Sequence, residues 1–144
     1  MPDKGYHIRV AQWPQDSAAL RLVREKVFIE EQRVPTELEW DGRDAECLHL
    51  LAEDVEGNPI GTGRLLSDGH IGRMAVLEEW RGHGVGSALL LGLMEEGQRR
   101  GFSTLILAAQ LQAMPFYAKV GFEAEGDVFD DAGIPHRTMI WRAS

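Results

Sequence analysis

Between residues 71 and 86 the chain runs from an apolar stretch, through a glycine-rich turn, into a helical pattern. No other feature constrains the fold as tightly. Ile71-Gly72-Arg73-Met74-Ala75-Val76 reads as a buried strand and Leu77-Glu78-Glu79-Trp80 as a short polar bridge. Arg81-Gly82-His83-Gly84-Val85-Gly86 then opens a helix. Without Cβ atoms in the way, backbone N–H groups turn inward at such a loop. The helix start adds unpaired donors and the positive end of its dipole. The combination is an anion cradle, best suited to a pyrophosphate.

Spacing separates the ligands that use this device. A P-loop requires Lys and then Ser or Thr after its last glycine, whereas Gly86 is followed by Ser87-Ala88. A dinucleotide fingerprint counted from Gly82 puts its third small residue at Ser87, and counted from Gly84 at Leu89. The stretch 102–110, where its ribose-binding acid belongs, has no carboxylate. The spacing that remains is Arg-x-x-Gly-x-Gly, met by Arg81, Gly84 and Gly86.

That loop resembles the pyrophosphate loop of the GNAT family of N-acetyltransferases. Met114-Pro115-Phe116-Tyr117-Ala118-Lys119-Val120-Gly121-Phe122 is similar to the family's late Phe-Tyr-x-x-x-Gly-Phe signature. Residues 24–35 and Gly133-Ile134-Pro135-His136 resemble its ElaA-like and YjcF-like branch. The resemblance spans nearly the whole chain. It implies a mixed α/β (α+β) fold, with a central, mostly antiparallel sheet, a splayed parallel pair and flanking helices. It also implies acetyl-CoA as cofactor, with an amine on a small molecule or a peptide as acceptor. Homodimers are frequent in this family.

The resemblance assigns the cofactor site to Arg81, Gly82, His83, Gly84, Val85 and Gly86, with Phe116 beside them. The strand edge at Met74, Ala75 and Val76 pairs with the pantetheine arm, and the Met74 N–H is the candidate donor to the thioester carbonyl. Arg73 is either a substrate ligand or a surface ion pair. Many relatives carry Asn seven residues before the tyrosine; here Gln110 holds that place. Tyr117 is the candidate for stabilising the departing thiolate, its structural alternative being core packing with Phe116 and Phe122. An amine with a pKa near 10.4 is protonated at pH 7, so a base is needed. Glu31 and His136 are the leading candidates, with Asp41, His49 and a water chain as alternatives.

A chain of 144 residues that is 44% hydrophobic supports one domain, residues 1–144, with a real core. No window of about 18 apolar residues marks a membrane span. The start, Met1-Pro2-Asp3-Lys4-Gly5-Tyr6, is polar and does not read as a signal peptide. With Cys47 alone no internal disulfide forms, which fits the cytoplasm. Cys47 itself reads as a buried strand residue rather than a nucleophile. A net charge of −8 argues against nucleic acid as partner. No His, Cys and carboxylate spacing reads as a metal site. Much of the negative charge lies in residues 30–46, which is read either as a field that attracts cationic amines or as a solvated loop.

Periodicity predicts strands at 6–11, 47–53, 59–66, 71–76, 103–108, 122–128 and 136–141. Helices are predicted at 17–30, 84–100 and 113–120, the first capped by Asp16-Ser17. A long acidic loop over 31–44 is expected to be anchored by Trp40. Two readings compete: an acetyltransferase, and a module that binds acyl-CoA without turnover.

Overall fold

In the computed structural model, residues 5–143 are described, and the polar start at 1–4 lies outside them. The strands are β1 (Tyr6–Ala11), β2 (Leu48–Asp54), β3 (Pro59–Leu65), β4 (His70–Val76), β5 (Thr104–Gln110), β6 (Glu123–Asp131) and β7 (Ile134–Arg142). The helices are α1 (Ser17–Arg24), α2 (Thr36–Glu39), α3 (Val85–Arg99) and α4 (Met114–Ala118). One sheet runs in the order β1-β2-β3-β4-β5-β7-β6. Its neighbours are antiparallel except for β4 and β5, which are parallel. The mixed α/β class with one parallel pair is as expected. Among the described residues no helix is long and apolar enough to cross a membrane.

Side-chain alternation decides what each face of the sheet carries. On β2, Leu48, Leu50 and Ala52 join the core under α3, while Leu51 turns the other way to meet Leu20 of α1. Leu89, Leu90 and Leu93 fill the α3 side and are fully buried. Gly63 lets α3 sit close, since a Cβ there would lie 2.7 Å from Leu93 Cδ1. Val23 and Val27 cover Ala75 on the opposite face.

Two irregularities in β4 create the site. Parallel pairing with β5 is confined to His70↔Ile106 and Ile71↔Leu107. Beyond it the strands part, and Met74, Ala75 and Val76 have no register partner on β5. On its other side β4 bulges: Thr62 pairs with Ala75 and Arg64 with Gly72, so Arg73 and Met74 together oppose Gly63. Arg73 takes a left-handed backbone, with φ 50°.

Some local expectations need correction. The first helix is α-helical only to Arg24 and continues as a π-helix over Glu25–Glu31. Asp16 occupies the N-cap position without capping the helix through its side chain. Its carboxylate instead accepts from Arg9 Nη2 at 2.9 Å, Arg9 Nη1 at 3.0 Å and the Gln12 N–H at 2.8 Å. Cys47 lies just before β2 and is half-buried rather than buried in a strand. The acidic loop contains α2 and a 3-10 turn at Asp44–Glu46. In the last hairpin the turn is Ala132-Gly133, both with positive φ, as a tight hairpin turn requires.

The Arg9 hydrogen bonds, aided by the Gln12 amide, pull the Asp16 carboxyl down to about 2. A depressed acid stabilises the fold above its unfolded pKa of about 3.9 and loses that contribution as pH falls through the folded value. Urea midpoints measured from pH 5 to 2 are therefore expected to fall less steeply in Asp16→Asn than in the native chain. An identical slope in the two proteins contradicts this assignment.

Candidate active site

The parting of β4 and β5 opens onto a cavity of about 460 Å³. Its wall on one side comes from Phe28, Gln32, Val34 and Leu38, and on the other from Tyr117 and His136. Arg73 and Met74 on the bulge lie between them. The π-helical turn supplies Phe28, so the departure from α geometry falls beside the cavity, where such turns frequently occur.

At the glycine loop, Gly82 and Gly84 have φ of 82° and 84°. These left-handed values favour glycine, and Gly84 forms the N-cap of α3. The first-turn amides of α3 have no intrahelical acceptor. Gly86 lies near Phe116: a Cβ there would sit 3.5 Å from Phe116 Cζ. The structure thus brings Gly86, Phe116 and Val76 together. His83 packs on Trp80, with ring centroids 5.4 Å apart.

Arg81 Nη1 and Nη2 both donate to the Glu31 carboxylate at 2.7 Å, and its Nε donates to the Val76 carbonyl. Those hydrogen bonds hold the Glu31 carboxyl below the usual range. Glu31 does not line the cavity; it positions the arginine of the glycine loop.

Tyr117 lines the cavity and packs edge-on against Phe116 and Phe122. Burial pushes its phenol up to about 12. It therefore stays neutral at physiological pH and keeps its O–H proton. His136 is nearly buried and stacks on Phe129. Its Nδ1–H donates to the Ile134 carbonyl at 2.7 Å. That bond selects a tautomer in which Nε2 of the neutral ring carries a lone pair. The other two base candidates are committed elsewhere. Asp41 accepts from both terminal nitrogens of Arg64. His49 is buried, stacks on Trp13 and donates through Nε2 to the Asp44 carbonyl. Gln110 donates to Gln32 at 2.8 Å and accepts from Gln112, tying β5 to the end of the π-helix.

The acidic segment is neither a free negative field nor a solvated loop. Arg24, 1% exposed, donates to Glu39 Oε2 at 2.7 Å and to Asp44 Oδ1 at 2.8 Å. Arg64 also reaches Asp44, at 3.1 Å. Burial pushes the Asp41 and Asp44 carboxyls up, but Arg64 and Arg24 outweigh it and hold both below the ordinary range. For Glu39 burial wins over its arginines and the carboxyl is raised. Trp40 anchors the segment as expected, lying 4.9 Å under the Arg24 guanidinium and 5.0 Å under that of Arg21. Arg24, Gln32, Glu39 and Arg64 escaped the sequence reading because their partners are 15 to 78 residues away. The available signal was a lone arginine in the apolar run of β3. Burial raises the Cys47 thiol, whose Sγ–H donates to the Arg43 carbonyl, so its reactivity is suppressed.

Residues 15–143 match the family model of the acetyltransferase (GNAT) domain. The chain is 42% identical over 122 residues to the uncharacterized N-acetyltransferase YjcF of Bacillus subtilis, covering 82% of this chain and 86% of that protein. It is 37% identical over 123 residues to the uncharacterized protein YyaT of the same organism, with 81% and 82% covered. Among solved structures, Escherichia coli ElaA superposes with a TM-score of 0.84 at 26% identity, over 95% of this chain and 99% of that one. An acyl-CoA N-acyltransferase from Pseudomonas aeruginosa superposes with a TM-score of 0.81 at 27% identity, over 94% and 97%.

Removing Arg24 leaves Glu39 and Asp44 short of their shared cation in a buried site. Arg24→Ala is expected to cost about 3–5 kcal/mol in a denaturant titration. A loss below about 1 kcal/mol contradicts the role of this network, since that is the range of an exposed ion pair.

Proposed function

The chain belongs to the GNAT acetyltransferase family and is an acyltransferase; on that premise we propose that it moves an acetyl group from acetyl-CoA to a primary amine, by direct attack in a ternary complex. The observation that carries this reading is the coincidence of three features on one strand. The free edge of β4, the glycine loop that follows it and the cavity beside it are contiguous.

Acetyl-CoA supplies the activated thioester. The backbone amides of residues 82–86 hold its diphosphate, and Arg81, paired with Glu31, braces the start of the loop. The edge at Met74, Ala75 and Val76 receives the amide-bearing pantetheine arm as an added strand. The fit is supported by the empty space at Gly82, where a Cβ would meet no atom within 4 Å, and by the left-handed turns that aim the amides. The Met74 N–H, on the bulge, would donate to the thioester carbonyl. One such donor is worth roughly 3 kcal/mol to a developing oxyanion. His136 Nε2 takes the proton of the attacking amine. Tyr117 hydrogen-bonds the departing sulfur; full proton transfer from a phenol near 12 to a thiolate near 8.5 is uphill by roughly 5 kcal/mol.

Release of free CoA thiol across a panel of primary amines tests the reading. Tyr117→Phe is expected to lower kcat about 10- to 100-fold with little change in KM for acetyl-CoA, and His136→Asn to lower kcat about 100-fold or more. Unchanged rates in both variants exclude these roles. Gly84→Asp, with charge and a side chain placed against the diphosphate, is expected to weaken CoA binding at least tenfold by calorimetry. Native affinity in the folded variant removes the loop from the site.

A further inference from the structure

Among the charged side chains that line the cavity, Arg73 holds a guanidinium nitrogen without a partner among the described residues. Arg73 sits on the β4 bulge next to Met74 and lines the cavity, with its side chain 24% exposed. A non-glycine residue at φ 50° is strained, and bulges re-aim side chains, so the backbone bears a cost to place this one.

The hydrogen bonds of its guanidinium are one-sided. Nη2 donates to the Glu39 carbonyl at 3.0 Å and to the Leu38 carbonyl at 3.3 Å, with Asp41 Oδ2 at 3.4 Å. Nε lies 3.0 Å from Glu39 Oε2 but is not aligned for a hydrogen bond. Nη1 has no partner among the described residues. The group is thus held at Nη2 and beside Nε, which leaves Nη1 as the donor still to be matched on a side chain that lines the cavity.

The nearby carboxylates do not fill that vacancy. Asp41 and Asp44 are taken by Arg64 and Arg24, and burial weakens Glu39 as a counter-charge. Desolvation, with Arg64 and Arg24 close by, pushes the Arg73 guanidinium down despite the pull of Glu39 and Asp41. Arg43, on the same cavity, pairs with Glu46 only at 4.0 Å. The carboxylates Asp68 and Asp131 lie elsewhere on the lining. Asp68 is bound to His70, and Asp131 stands at the β6–β7 turn, on the His136 side.

We infer that the acceptor is an amine that also bears a carboxylate, with the carboxylate held by Arg73 on the β4 wall and the amine delivered toward His136. This rests on the acetyl-transfer reading and adds a substrate class to it. A guanidinium N–H suits a carboxylate, through charge-assisted hydrogen bonds. A purely cationic amine, such as a polyamine, brings no acceptor for the Arg73 Nη1.

The test uses matched pairs: lysine with cadaverine, histidine with histamine, tyrosine with tyramine, phenylalanine with phenethylamine. Two readouts are taken on each pair, thiol release from acetyl-CoA and calorimetric binding to the CoA-loaded protein. Within at least one pair the carboxylate member is expected to bind at least about tenfold tighter, and to react with a correspondingly higher kcat/KM. Arg73→Gln should abolish that preference by weakening the carboxylate member alone, and Arg73→Lys should restore part of it. CoA binding reports that each variant is folded. A merely structural Arg73 would weaken both members equally.

Thiol release without preference for the carboxylate member overturns the inference and leaves acetyl transfer standing. A carboxylate preference in binding, lost in Arg73→Gln, without release from any pair upholds the anchor and counts against transfer to amines of this class. If neither member of any pair binds or reacts, the inference is overturned.

Discussion

Everything about this molecule's site depends on two parallel strands that stop pairing. β4 and β5 share two register pairs and then diverge, which leaves backbone groups of β4 unmatched inside the protein rather than at a sheet edge. Unpaired backbone groups are costly when buried, so a gap of this kind persists only where a ligand or solvent completes it. A peptide-like chain of amides fits such an edge. The bulge at Arg73 and Met74, held in part by Thr62 Oγ1 donating to the Arg73 carbonyl at 3.0 Å, turns the strand at the same place.

The gap needs rigid walls, and the two sides are made differently. On the β5 side, strand pairing runs from Thr104↔Arg142 to Gln110↔His136, which carries His136 to the cavity on a continuous ladder. On the β4 side the wall is irregular chain, and buried charge does the work that packing does elsewhere. Arg24, Arg64, Glu39, Asp41 and Asp44 tie the acidic segment to α1 and β3. Such a network contributes little net stability over an apolar substitute, but it tolerates no missing member. It also pairs Glu39, Asp41 and Asp44 with arginines, so the formal negative charge of the segment is largely compensated on this wall.

Much of this was legible from residue order. The strand–glycine–helix unit and most strand and helix spans rest on local patterns, which survive into the fold, whereas the parallel pair and the tyrosine before Phe122 came from the family resemblance. The misreadings have a common cause. Asp16 at a helix start reads as a cap until Arg9 on the neighbouring strand claims it. Glu31 reads as a base near the acceptor until Arg81, 50 residues on, draws it to the glycine loop. The π-helical turn over Glu25–Glu31 has no sequence signature and follows from how the helix must meet the sheet.

By itself the sequence determined the strand–glycine–helix unit and the order of elements, because glycine spacing and side-chain periodicity act over a few residues, while the fold class and the candidate roles of Tyr117 and His136 came from its resemblance to a family. Only the tertiary structure decided which charges remain available at the site. Electrostatic pairing depends on distance in space, and the partners here lie 15 to 50 residues apart. So the folded chain, and not its composition, turns an acidic segment into a largely compensated wall and leaves the Arg73 Nη1 to be matched at the cavity.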